Sequence, residues 1–351
     1  RPRRGDQGWL RHAQEPAPPE NIFYENLDSP VKVSFQMEGY IIWGASVVKA
    51  EDGKYYMFAS RWPENVTMRG WITHSEIVLA VADNPEGPYR FEKVVLPSRG
   101  AEYWDGMMTH NPSIHFHNGK YILYYLGVTF DFERPDARPP EHLFKQAWMS
   151  QRLGVATADN VYGPWKRLDK PVIEPRKDHW DAIYTNNPAP HIKEDGSVFL
   201  IYKSLTKTAS HWTLLDMQLG AATAKHYLGP YKRTDEDNRL ILEDVKAAVE
   251  DPCMWYDGCY YQAIIKCMDE SVTGEEGTGF FMYSKNGIHW KLHENPQAYS
   301  MDVIWQDGRN LKVTRMERPQ VLVQDGKPTH VYFSCIDENG DIYNIVKALI
   351  K

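Results

Sequence analysis

NPSIHFHNGKYILYY, residues 111–125, opens on a proline, runs through a short alternating apolar stretch, turns at Asn-Gly, and returns as an aromatic-rich strand. Asn-Gly or Asp-Gly between alternating apolar runs is the strongest short-range hairpin signal. The same layout occurs four more times. GASVVKAEDGKYYMFAS begins at Gly44, NPAPHIKEDGSVFLIYK at Asn187, DPCMWYDGCYYQAII at Asp251 and RPQVLVQDGKPTHVYFS at Arg318. The turn glycines, Gly53, Gly119, Gly196, Gly258 and Gly326, are 66, 77, 62 and 68 residues apart. A period of that kind signals a repeat architecture.

Each unit carries a second hairpin. LAVADNPEGPYRF, LGVATADNVYGPWKRL and LGAATAKHYLGPYKRT share a Gly-Pro turn, and FMYSKNGIHWKLH is a degenerate fourth copy. The fifth unit runs out after about three strands, and VKVSF, residues 31–35, is the natural donor of the missing one. Two hairpins in each of five units predict an all-β, five-bladed β-propeller of four-stranded antiparallel blades, its ring closed by an N-terminal strand. The expected organisation is an extended arm over residues 1–30 and one propeller domain over 31–351.

Composition narrows the function. The chain has 12 Trp and 21 Tyr, and flat rings suit both sheets and the apolar faces of sugars. A net charge of −7 argues against nucleic acid or an anionic membrane as partner. No apolar run approaches the ~18 residues of a membrane span. The chain starts at Arg1, which is compatible with removal of an export signal and hence a secreted or periplasmic location. Cys253, Cys259, Cys267 and Cys335 match no zinc spacing and read as buried free thiols. No metal or cofactor motif is present.

In a propeller the first strand of every blade lines the central channel, so residues at the strand starts converge at one mouth. Aligned on the proline, the five starts are Trp43-Gly44, His110-Asn111, Asn186-Asn187, Glu250-Asp251 and Glu317-Arg318. Ten positions scattered over the chain thus hold three acids, three Asn, a His, an Arg and a Trp. Small apolar side chains would suffice for a merely structural channel.

At these positions the chain resembles the five-bladed propeller glycoside hydrolases, the group that includes families 43, 32 and 117. In family 43 two blades carry an Asp before the proline and one a Glu two places before it. The first Asp is the general base, the second tunes pKa, and the Glu is the general acid. Glu250, in EDPCMWYDGCYY, matches the Glu position, whereas Asn111 and Asn187, in HNPSI and NNPAP, stand where the family has Asp. An amide can neither abstract a proton nor carry the charge. The resemblance implies a divergent member with Glu250 as general acid.

The partner carboxylate is open. Glu317 shares the Glu250 slot in the next blade. Asp105 and Asp181 follow Trp104 and Trp180 in a shared Trp-Asp-x-x-x-Thr-x-Asn-Pro motif, in loops expected to reach the mouth; the bland reading is a blade-capping turn. Strand alternation turns Asp251 away from the face Glu250 uses, making it a supporting group. Trp43, Trp104, His110, Asn111, Trp180, Asn186, Asn187, Asp251 and Arg318 are the expected substrate contacts, Arg318 through a carboxylate or sulfate if the substrate carries one. The chemistry is that of an exo-acting glycosidase on a plant or algal carbohydrate. A non-catalytic sugar-binding propeller would keep the aromatics and amides without facing acids. A glycoside phosphorylase would need clustered bases, of which only Arg318 is expected.

Overall fold

The computed structural model describes residues 15–24, 30–206 and 216–349. Five sheets form the five blades. Their first strands are Tyr40–Lys49, Met108–His117, Asn186–Ile192, Val249–Tyr256 and Asn310–Gln324. Blades 1 to 3 continue outward in the sequence order of their four strands. Blade 4 adds a two-residue parallel strand, Ile241–Leu242, at its outer edge. In blade 5 the outer strand is Lys32–Phe35, antiparallel to Ile342–Ala348, and it closes the ring as the sequence expects. Asp302–Ile304 extends the opposite edge of that sheet.

Strand periodicity explains how the ring holds together. Successive side chains point to opposite faces of a strand, and a propeller blade has a neighbour on each face. Along Tyr55–Pro63, Tyr55, Met57 and Ala59 join the core shared with blade 5, while Tyr56 and Phe58 join the core shared with blade 2. In the second strand of blade 2, Leu123 and Tyr125 face blade 1, and Ile122, Tyr124 and Leu126 face blade 3. Five interblade cores result, one between each adjacent pair. Full burial of one such side chain contributes roughly 1.5–3 kcal/mol. These second strands are therefore apolar on both faces, unlike a half-solvated sheet.

Among the described residues two α-helices, Trp71–His74 and Glu141–Met149, lie in the insertions of blades 1 and 2, and helical periodicity does not announce either. Arg69 joins these insertions through Glu141 and the Phe144 ring. The described part of the arm packs on blade 4, where Tyr260 donates to the Pro16 carbonyl and Phe23 meets Trp255 and Phe281. All four cysteines are free. Cys267 and Cys335 are buried as expected and Cys253 is half-buried, but Cys259 is exposed in its hairpin turn.

Candidate active site

The second residue of each strand-start pair has left-handed backbone. The φ angles are +64° at Gly44, +49° at Asn111 and Asn187, +51° at Asp251 and +54° at Arg318. Gly, Asn and Asp adopt this conformation at little cost; arginine is the outlier among them. Strand pairing shifts register at this point in all five blades. The irregularity breaks the alternation that would have turned Asp251 away. Glu250 and Asp251 both line the same cavity, which corrects that expectation.

The cavity, about 930 Å³, lies at the channel mouth and is lined by nine of the ten strand-start residues: Trp43, His110, Asn111, Asn186, Asn187, Glu250, Asp251, Glu317 and Arg318. Gly44 supplies space instead, since a Cβ there would lie 2.9 Å from Asn111 Oδ1. The left-handed residues bond to one another across the axis. Asn111 Nδ2 donates to Asn187 Oδ1 at 2.8 Å, and Asn187 Nδ2 to Asp251 Oδ1 at 2.9 Å. Asp251 also accepts from the Arg318 backbone N–H at 3.0 Å and from its Nη1 at 3.2 Å. All four side chains are buried, and together they form a polar floor.

One step above the floor, charges alternate along the wall made by blades 3 to 5. Lys203 Nζ lies 2.8 Å from Glu250 Oε2, and Lys266 Nζ lies 3.1 Å from Glu250 Oε1. The same Lys266 ammonium reaches Glu317 Oε1 at 2.7 Å, where Arg315 adds a contact of 2.9 Å. Because one nitrogen holds both glutamates, these two oxygens are at most about 5.8 Å apart, the sum of the 3.1 and 2.7 Å bonds. Among the described residues Glu317 Oε2 has no partner. Burial raises the Glu250 carboxyl, but Lys203 and Lys266 outweigh it and hold the group well below the usual carboxylate range. Glu250 is therefore an anion with both oxygens occupied, not the proton donor the sequence suggested. Burial and then the adjacent Glu250 charge push the Asp251 carboxyl upward, against the pull of Arg318.

His110 occupies the opposite arc of the ring. Its Nδ1 is 2.7 Å from Ser75 Oγ, and its ring stacks on Trp71 with centroids 4.7 Å apart. Burial, and secondarily Arg318, lower its pKa well below the ordinary value, so the imidazole is neutral. Asn186 donates from Nδ2 to Gln151 Oε1 at 2.8 Å. Trp148, Tyr184, Met217 and Met301 complete an apolar upper wall.

Lys203 and Lys266 escaped sequence reasoning, although each is a lysine ending an apolar second strand, in VFLIYKS and YQAIIKC. With Arg315 and Arg318 they make four bases at the mouth rather than the one expected, each bonded to a carboxylate.

The structure does not bring Asp105 and Asp181 to this cavity. Both are fully buried inside their blades. Asp105 is held by Arg99 at 2.6 Å, by Arg167 and by the Tyr125 hydroxyl at 2.6 Å. Asp181 is held by Arg176 at 2.9 Å, Arg233 at 2.7 Å and the Tyr202 hydroxyl at 2.7 Å. Trp104 donates to the Leu168 carbonyl and Trp180 to that of Asp237. Their rings cover Gly154 and Gly220, where a Cβ would lie 2.4 and 2.3 Å from the indole. The glycine of the LGVATA and LGAATA repeats is thus the seat of a tryptophan. These four residues cap the blades and drop out of the site.

Comparison with known proteins agrees with the architecture. A complex of BT0996 with RGII superposes with a TM-score of 0.67 over 92 % of this protein and 92 % of that one, at 15 % identity. The chain has the propeller fold of the glycoside hydrolases of families 43 and 117. Zg3597, a family 117 glycoside hydrolase of the marine bacterium Zobellia galactanivorans, gives 0.60 at 18 % identity over 92 % and 90 % of the two chains. A thermostable family 43 glycoside hydrolase gives 0.56 at 14 % over 88 % and 89 %. One curated relative, extracellular endo-α-(1→5)-L-arabinanase 2 of Bacillus subtilis (strain 168), is 34 % identical over 80 residues. That match spans 22 % of this chain and 16 % of the relative's length. No family model matches.

Proposed function

We propose that the protein is a glycoside hydrolase removing a terminal sugar from a plant or algal oligosaccharide or polysaccharide. The observation that carries this reading is the pair Glu250 and Glu317 on one wall of a 930 Å³ cavity whose opposite arc holds His110 and Trp71. Glycosidases work with two carboxyl groups beside an oxocarbenium-like transition state. Glu250, fixed as an anion, suits stabilisation of that positive charge. Glu317 offers Oε2 for proton exchange with substrate. The bonded floor of Asn111, Asn187, Asp251 and Arg318 closes the channel beneath the sugar, which favours a pocket for a chain end over a through-running cleft. Trp43, His110, Asn186 and Arg318 are the proposed sugar contacts. Export from the cell fits a polymer substrate and the extracellular location in the name of the arabinanase relative. Among the described residues no helix is long and apolar enough to cross a membrane.

The test is hydrolysis of a panel of aryl furanosides and pyranosides by the protein and its Glu250→Gln and Glu317→Gln variants. Turnover by the unaltered protein with loss of at least ~100-fold in each variant supports the assignment, on the scale of removing one acid–base or electrostatic group. Wild-type turnover by both variants ends it. A non-catalytic sugar-binding propeller is the second reading, favoured by the full engagement of both Glu250 oxygens and by the two amides Asn111 and Asn187. It is supported instead if no panel member is cleaved while sugars bind.

A further inference from the structure

The wall between blades 3 and 5 contains a chain of five alternating charges, Lys203, Glu250, Lys266, Glu317 and Arg315. Lys266 is its central member. It sits directly opposite Glu250 in the strand register, is 5 % exposed, and is the one group bonded to both glutamates among the described residues. A buried ammonium needs compensation, and here two carboxylates supply it. An ordinary structural ion pair would need only one.

We propose that Lys266 is the positioning residue of the site, holding Glu250 and Glu317 side by side on one wall and keeping Glu250 ionised as it faces the substrate. This rests on the hydrolase reading above. The groups around Glu250 support a specific role for Lys266. Lys203 comes from the second strand of blade 3, Lys266 from that of blade 4, and Asp251 from the next position in its own strand. Glu317, Arg315 and Arg318 come from blade 5, with the Tyr184 and Tyr299 hydroxyls nearby. Removal of Lys266 leaves Lys203 on Glu250 and Arg315 on Glu317, but nothing between the two glutamates. Their mutual repulsion then favours protonation of one of them. Lys203 touches Glu250 alone, so its loss cannot couple the pair.

The experiment compares Lys266→Met, Lys266→Arg and Lys203→Met, each checked for folding by circular dichroism and thermal melting. The first readout is the acid limb of kcat/KM against pH on the best panel substrate. The expected result is an upward move of that limb by about one pH unit or more in Lys266→Met, on the scale of losing a cation within bonding distance. Lys266→Arg should restore the limb, and Lys203→Met should move it less. The second readout is independent of turnover: carbon-13 carboxyl titration of Glu250 in the full-length protein, assigned through Glu250→Gln. In the unaltered protein Glu250 stays ionised down through pH 4.5, the ordinary glutamate value, and in Lys266→Met it begins to protonate above that pH. An unmoved limb together with an unmoved titration overturns the proposal even if activity falls, because a merely structural lysine gives that outcome. If no glycoside is turned over, the hydrolase reading fails separately, and the titration alone decides whether Lys266 holds the pair.

Discussion

Two sets of buried carboxylates divide the molecule. Asp105 and Asp181 lie inside blades 2 and 3, each sealed from solvent and enclosed by two arginines and a tyrosine hydroxyl. Glu250 and Glu317 are as heavily paired with cations, yet they line a cavity large enough for a sugar. Pairing therefore does not separate a structural acid from a functional one in this fold. Access does. Arginine, planar and permanently charged, serves the sealed sites, and lysine, a compact point charge, serves the open one.

The comparison can be broken most sharply through activity. Glu317→Gln is expected to lower kcat/KM by about 10²–10⁴-fold while leaving the melting temperature within a few degrees, the range for a positioned acid–base group. An inverse result, with turnover kept and stability lost, would place Glu317 with the architectural acids. Asp181→Ala should do the opposite, with Asp105→Ala alongside it. Stripping the carboxylate leaves two arginines uncompensated and should remove roughly 3–5 kcal/mol of stability, read by denaturant unfolding. Turnover per folded molecule should hardly change.

A smaller effect concerns the far end of the channel, where burial lowers His115 and His191 to about 4 from the ordinary 6.5. Both are neutral in the folded protein at neutral pH, while the unfolded chain takes up protons near pH 6.5. Their contribution is full above pH 6.5 and is lost as pH falls from 6.5 toward 4. Melting temperature should decline across that window, and His115→Gln should flatten the decline; an unchanged slope would count against neutral burial. The smallest effect is expected at the arm, where Lys285 and Glu15 form a solvent-exposed pair. Lys285→Ala should change stability by less than about 1 kcal/mol.

Most of the fold is legible in the sequence because the five Asp-Gly or Asn-Gly turns and the strand runs between them are local signals. Much of the mouth is legible too, since repeat alignment assigns addresses without knowledge of side-chain direction. Direction is what local sequence does not carry. The Trp-Asp motif marks equivalent positions in two blades but does not say that the aspartate points into the sheet, toward arginines from other strands. Simple alternation puts Asp251 on the wrong face because left-handed backbone is invisible to it. Lys203 and Lys266 look like strand-end charges until the adjacent blade brings the glutamates against them.

The left-handed turn at the floor gives each acid an assigned seat by length. At the position before the proline, short Asn and Asp side chains sit easily, and a longer side chain at that backbone is strained, as at Arg318. The preceding position pairs as ordinary strand and accepts glutamate in blades 4 and 5. Anyone moving carboxylates around this ring to change its chemistry would thus have two sockets per blade, an inner one for aspartate and an upper one for glutamate. Ten sockets on one rigid scaffold make the propeller mouth a small keyboard of charge.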